Sequence, residues 1–200
     1  MNQTSKGNIY VIEDDESIRI SLDNILTASN YLVQSFSSPS AFFNTEIMHP
    51  AVIILDMILP EMLGSNIQQE LLGNHETPPI IFISGESSLP QVVSAIKQGA
   101  IEFLLKPFKI DDLLRAIDDG LEKDLENIKQ LSHQRSLDEK LVKLTNREHQ
   151  VYQLLLRGLN NQEIMRELNI SLPTTKQYKI TVMRKLNVKT FSQLILLSKP

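Results

Sequence analysis

The sequence predicts a doubly wound α/β domain with a five-stranded parallel sheet, followed by a smaller all-α domain. Three observations carry this. Five short apolar segments recur in the first half, separated by stretches of helical spacing, and such strand–helix alternation forms a parallel sheet covered on both faces. From Asp111 onward the periodicity is helical. Charge divides as well: residues 1–143 hold 11 Lys and Arg against 21 Asp and Glu, a net of −10, whereas residues 144–200 hold 9 against 3, a net of +6. An acidic half joined to a basic half points to two domains with different partners, cations for the first and nucleic acid for the second.

The strands are expected at Asn8–Ile12, Tyr31–Phe36, Ala51–Leu55, Pro79–Ile83 and Glu102–Leu105. Several are nearly continuous apolar runs, the pattern of parallel strands buried on both faces. Ile18, Leu22, Ile25 and Leu26 mark one face of the first helix, and Val92, Val93 and Ile96 mark a later one that Gly99 ends. Leu114, Ile117, Leu121, Leu125, Ile128 and Leu131 then fall three and four apart. Two arrangements fit this stretch. One is a single long helix reaching toward Leu141, with Gly120 as a weak point and a seam that pairs with a second chain. The other is a final helix on the sheet followed by a charged linker. The domains are set at 1–122 (α/β), 123–142 (helical linker) and 143–200 (all-α).

Residues 143–200 read as four helices from their caps. Thr145 and Glu148 make a capping box, and Gly158 is a C-terminal stop. Asn161 is expected to cap a helix Gln162–Leu168, with a tight turn at Asn169-Ile170. Ser171 caps the next helix, with Pro173 tolerated in its first turn. Thr190 caps a last amphipathic helix carrying Phe191, Leu194, Ile195 and Leu197.

Composition excludes several classes. There is no cysteine, so neither a disulfide framework nor a thiolate zinc site is available. No apolar run approaches the roughly 20 residues of a membrane span, and Met1–Lys6 lack an apolar signal core. The expectation is a soluble cytoplasmic protein with no membrane partner.

The chemistry lies at the strand ends. The first strand runs into Glu13-Asp14-Asp15-Glu16, the third ends at Asp56, the fourth at Ser84 and the fifth at Lys106-Pro107. In a doubly wound sheet these ends converge on one edge. Gathered carboxylates repel one another unless a hard cation sits among them, and magnesium suits oxygen ligands. A carboxylate also serves as a nucleophile toward phosphorus, with a metal, a lysine and a hydroxyl neutralising the phosphoryl oxygens. Asp15 and Glu16 read as solvated surface.

Residues Asn8 to about Leu121 resemble the receiver domains of two-component response regulators, a flavodoxin-like fold. The matching features are Val11-Ile12-Glu13-Asp14-Asp15-Glu16, Ile54-Leu55-Asp56-Met57-Ile58-Leu59-Pro60 with Gly64, Phe82-Ile83-Ser84-Gly85-Glu86, and Phe103-Leu104-Leu105-Lys106-Pro107-Phe108. The resemblance implies that Asp56 is the phosphoacceptor, that Glu13, Asp14, Asp56 and the Ile58 backbone carbonyl hold Mg2+, and that Ser84 and Lys106 bind the phosphoryl oxygens. It also implies that Phe103 is a switch aromatic following Ser84, and that the phosphodonor is a sensor histidine kinase. Glu13 stands where aspartate is more frequent, and Leu59 and Leu63 where methionine and a polar residue are common. Apolar Ile58, which flanks the phosphoryl site with Glu86, is expected to slow hydrolysis of phospho-Asp56.

Residues Leu144–Leu197 resemble the LuxR/NarL-type, FixJ-like helix-turn-helix output domain. The matching stretches are Leu144-Thr145-Asn146-Arg147-Glu148, Gly158-Leu159-Asn160-Asn161-Gln162-Glu163-Ile164 and Met183-Arg184-Lys185-Leu186-Asn187-Val188. The helix from Leu172 to about Leu186 would then enter the major groove. Lys176, Gln177 and Ile180 are expected near base edges. Lys179, Arg184 and Lys185 are expected on phosphates, and Thr174 and Tyr178 complete the DNA-contacting set. Thr175 stands where valine is usual and Tyr178 where histidine is usual. Threonine at 175 is expected to loosen the helix seat slightly.

The combined expectation is a phosphorylation-controlled transcription regulator, not an enzyme with a separate substrate. An acyl phosphate at Asp56 draws Ser84 toward it, Phe103 turns inward, and the face of the fourth helix, fifth strand and fifth helix is remodelled. A homodimer then sets two recognition helices about one DNA turn apart on a double-stranded operator, with RNA polymerase as a further partner. Three rivals remain: a constitutive DNA binder with a vestigial receiver, a small-molecule phosphotransfer enzyme, and an adaptor whose helical domain binds protein.

Overall fold

The computed structural model describes residues 5–72 and 76–198. The chain divides into two compact units, the first ending at Lys129 and the second starting at Gln130. Met1–Thr4, part of the signal-segment reading above, lie outside the described residues.

The first unit is the expected α/β domain. Strands β1 (Asn8–Ile12), β2 (Leu32–Phe36), β3 (Ala51–Asp56), β4 (Ile80–Ser84) and β5 (Glu102–Leu105) alternate with helices α1 (Glu16–Ala28), α2 (Pro39–Phe43), α3 (Gly64–Leu71) and α4 (Leu89–Lys97). All pairings are parallel, in the order β2-β1-β3-β4-β5. Every residue of β3 and β4 is buried, while the edge strands β2 and β5 are partly exposed. Unbroken apolar runs therefore occupy central strands, where both faces need covering. Alternation sorts their side chains. Ile9, Val11, Val52, Ile54, Ile81 and Ile83 face one layer with Leu22 and Leu26 of α1. Tyr10, Ile12, Ile53, Leu55 and Phe82 face the other, with Phe42, Ile67 and Ala95 of α2, α3 and α4.

Helix α5 runs unbroken from Ile110 to Leu141, a single long helix as the first of the two arrangements has it. Gly120 is not its weak point. A Cβ there would lie 2.7 Å from both Ile101 Cδ1 and Val52 Cγ2, so glycine lets the helix approach the sheet. The first unit's packing also runs past residue 122, where the linker was expected. Asp124 is buried, its Oδ2 accepts the Ala51 amide at 2.8 Å, and His49 Nδ1 lies 2.6 Å away. Of the expected seam, Leu121 is buried in the first unit's own core and Leu125 is exposed.

The second unit contains the end of α5 and helices α6 (Asn146–Leu156), α7 (Asn161–Leu168), α8 (Leu172–Lys185) and α9 (Phe191–Leu197). Their core joins Val151, Leu155, Ile164, Val182, Leu186 and Leu194. The Thr145–Glu148 capping box, the Gly158 stop (φ 82°) and the Ser171 and Thr190 caps are all present. One cap shifts by a residue. Asn160 caps α7, its Oδ1 accepting the Gln162 and Glu163 amides while its own amide donates to the Glu163 carboxylate. Glu163 completes a box only with the residue three before it, a constraint that selects Asn160 over Asn161. Asn169 turns the chain in the left-handed conformation (φ 51°), as Asn tolerates.

Candidate functional site

The order β2-β1-β3 reverses direction at β1, which opens a crevice at the carboxyl ends of β1 and β3. Registers of Ile12 with Leu55, Asp56 with Ile83, and Ser84 with Leu105 bring the four strand ends level. Glu13, Asp56, Ser84 and Lys106 consequently emerge on one edge. Gly64 closes the loop after β3. A Cβ there would lie 2.6 Å from the Asp56 carbonyl oxygen, so no larger residue fits without displacing the strand end.

Lys106 organises the cluster. Its ammonium donates to Asp56 Oδ2 at 2.6 Å and to Glu13 Oε2 at 2.7 Å. Glu13 and Asp56 are buried and Asp14 is exposed, and each offers a carboxylate oxygen within 4.8 Å of the others. Burial lifts the Glu13 carboxyl above its ordinary pKa against the Lys106 hydrogen bond, and the Asp56 charge adds to the rise. Burial works against the Lys106 ammonium, but its hydrogen bonds to Asp56 and Glu13 prevail and hold it above the usual lysine value. Lys106 bonds two of the three carboxylates, and its single positive charge leaves negative charge uncompensated. Their oxygen donors, with Asp14 open to solvent, are the set a hard divalent cation takes.

Other groups hold this edge in place. Asp15, read from sequence as solvated, caps α1: its Oδ1 accepts the Ser17 amide at 2.8 Å and the Ile18 amide at 3.0 Å. Arg19, which sequence reasoning missed, donates to the carbonyls of Glu13 (2.8 Å) and Asp14 (3.1 Å) and so fixes the acidic turn. Its signal was the spacing: a residue one turn into the helix can reach back over the N-terminal loop. The Ile58 amide donates to Asp56 Oδ1 at 2.8 Å, and the Ile58 side chain is half exposed. Ser84 is fully buried, with its hydroxyl engaged by Glu86 and Ser87. Phe103 is partly buried and stacks on Phe82 with ring centroids 5.9 Å apart.

In the second unit, Thr174, Lys176, Gln177, Ile180 and Arg184 are exposed on α8. Separations of three, four and seven place Gln177, Ile180 and Arg184 on one face, with Lys176 beside them. Ile180 is 62% exposed, too open to be a core residue. Lys179 and Tyr178 are half-buried, and Tyr178 packs against the core. Lys185, expected on a phosphate, is half-buried and bonded within its own unit. It donates to Glu148 Oε2 at 2.6 Å and to the Lys143 carbonyl at 3.0 Å. Thr175, expected to loosen the helix seat slightly, is fully buried, and its hydroxyl donates to the Ser171 carbonyl at 3.0 Å.

Comparison with known proteins agrees with this geometry. Residues 9–118 match the response regulator receiver domain, and residues 142–198 match bacterial regulatory proteins of the luxR family. The chain is 37% identical over 191 residues to the response regulator protein TmoT of Ectopseudomonas mendocina, covering 94% of this chain and 86% of that one. It is 31% identical over 196 residues to the transcriptional regulatory protein FixJ of Bradyrhizobium diazoefficiens, covering 98% and 96%. Among solved structures, the response regulator StyR superposes with a TM-score of 0.80 at 37% identity, over 95% of this chain and 96% of that one. Strand ends that gather carboxylates around a lysine, a basic helical domain and matches along nearly the whole length lead to one conclusion: the chain belongs to the two-component response regulators that join a receiver domain to a LuxR-family DNA-binding domain.

Proposed function

We propose that Asp56 accepts a phosphoryl group from a phosphohistidine of a sensor kinase, and that the phospho-form dimerises and binds a two-fold-related DNA operator. The observation that carries this reading is Lys106 lying 2.6 Å from Asp56 and 2.7 Å from Glu13 at the sheet edge. In the transfer, an Asp56 carboxylate oxygen forms the new bond to phosphorus while the bond to the histidine nitrogen breaks. The Ile58 amide orients one Asp56 oxygen, leaving the other as the nucleophile beside Lys106. Lys106 balances the charge on the phosphoryl oxygens, and the Ser84 hydroxyl donates to one of them after leaving its present partners.

Magnesium fits the donor set. Glu13, Asp14 and Asp56, with the Ile58 carbonyl, would hold it, and when bound it would neutralise charge on the transferring group. On α8, Lys176, Gln177, Thr174 and Ile180 face bases, while Arg184 and Lys179 contact phosphates. The protein works in the cytoplasm, where its kinase and DNA are available. Among the described residues no helix is long and apolar enough to cross a membrane.

The test is binding of the full chain to a pool of random duplexes, with and without acetyl phosphate and magnesium, beside Asp56→Asn. Selective binding that rises on phosphorylation and is lost in Asp56→Asn is expected. Binding indifferent to phosphorylation would overturn the switch, and no binding in any state would overturn the DNA reading.

A further inference from the structure

The loop from β4 to α4 holds a hydroxyl relay that the reading above does not use. A serine hydroxyl has one proton to donate and lone pairs to accept. Ser84 gives its proton to the Glu86 carbonyl oxygen at 2.8 Å, and the Ser87 hydroxyl donates to Ser84 Oγ at 2.8 Å. Ser84 is fully buried, so these two bonds rather than bulk water decide where its hydroxyl points. Both turn it toward its own loop. To donate to a phosphoryl oxygen on Asp56, Ser84 must release Glu86, and the Ser87 bond resists that rotation.

Ser87 is not the cap of α4. The capping of α4 falls to Ser88, whose amide donates to Gln91 Oε1 at 2.8 Å in a capping box. Ser87 is therefore held one residue before an anchored helix start, half-buried, with its proton committed to Ser84.

We infer that Ser87 is a positioning residue that latches Ser84 in the unphosphorylated orientation and so sets the threshold for phosphorylation at Asp56. This rests on Asp56 being the phosphoacceptor. A single hydroxyl bond of ordinary strength shifts such a balance by about fivefold.

The test is phosphorylation of the full chain by acetyl phosphate with magnesium, followed by intact mass, in wild type, Asp56→Asn, Ser87→Ala, Ser87→Thr, Ser84→Ala and the Ser84→Ala/Ser87→Ala pair. Alongside it, the Ser84 and Gly85 amide signals are compared by NMR in metal-free protein. Ser87→Ala should raise the initial rate about fivefold and shift both amide signals before any phosphodonor is added. Ser87→Thr, which keeps the hydroxyl, should behave as wild type, and Ser87→Ala should add nothing in the Ser84→Ala background. An unchanged rate and unchanged amides in Ser87→Ala would overturn the latch, as would an equal gain in the Ser84→Ala background. If wild type takes up no phosphoryl group, or Asp56→Asn still does, the Asp56 reading fails. The amide comparison then still decides whether Ser87 holds Ser84.

Discussion

Lysine meets glutamate in both units of this molecule, and the two encounters differ in what they leave over. At the sheet edge, Lys106 serves Glu13 at 2.7 Å and Asp56 at 2.6 Å, with Asp14 close by. In the helical unit, Lys185 pairs with a single carboxylate among the described residues, Glu148 at 2.6 Å. Glu148 is further satisfied by the Thr145 amide at 2.7 Å, so that group of charges is closed. The pKa values of the two glutamates are shifted in opposite directions. Burial and the Asp56 charge raise Glu13 despite Lys106, whereas the Lys185 hydrogen bond outweighs burial and lowers Glu148. A balanced pair staples helices together. An unbalanced cluster keeps a demand for more positive charge, and the proposed phosphorylation site rests on that demand.

The comparison can be broken by removing its members. The largest effect is expected at the unbalanced site: Asp56→Asn should abolish phosphoprotein formation by acetyl phosphate, measured by intact mass, with the fold unchanged by circular dichroism. Lys185→Met should act on stability instead. It leaves Glu148 without its cation and should cost the helical unit about 2 kcal/mol, less than for a fully buried pair because Lys185 is partly solvated. Urea unfolding of the full chain at neutral pH measures this, while phosphorylation at Asp56 should be unaffected.

The pH dependence gives a further separation. Glu148 is held below its ordinary value near 4.5 in the folded state. Its contribution is therefore complete above the unfolded pKa and fades as pH falls through the lower folded one. Acid unfolding of the helical unit should show this loss below about pH 4.5 in wild type, and Lys185→Met should flatten it.

Smaller effects are expected on α8. Lys176→Ala should cost about 1–3 kcal/mol on the preferred operator and relax selectivity. Arg184→Ala should weaken binding uniformly and lower the salt slope by about 1. Equal loss of selectivity in both variants would overturn the division into base and phosphate contacts. The smallest change is expected from Ile58→Asn, which places a polar side chain where a half-exposed apolar one flanks Asp56. A severalfold shorter phospho-Asp56 lifetime is expected, and an unchanged or longer one would show that Ile58 does not exclude water.

Much of this was legible before the structure. The strand bounds agree to within a residue because buried parallel strands demand continuous apolar runs, which few other segments of this chain supply. Glu13, Asp14, Asp56 and Lys106 were readable because each directly ends or follows such a run, and the sheet topology sends all those ends to one edge. What the sequence missed shares a cause. The cap made by exposed Asp15, the close approach at Gly120 and the Lys185 ion pair were not readable because each partner is either a backbone amide or a residue distant in sequence. Local pattern carries no record of what lies across a packed interface.

The sequence by itself determined the order of elements, the parallel sheet, the helix caps and the identity of the acidic site, since each follows from periodicity or from residues adjacent along the chain. Only the tertiary structure decided how those groups are used. It showed one lysine shared between two carboxylates, Ser84 turned toward its own loop, Asp124 anchoring α5 to the start of β3, and Lys185 committed to Glu148. Hydrogen bonds tolerate errors of only a few tenths of an ångström, and most of these join residues far apart in sequence, so their geometry exists only once the cores have packed.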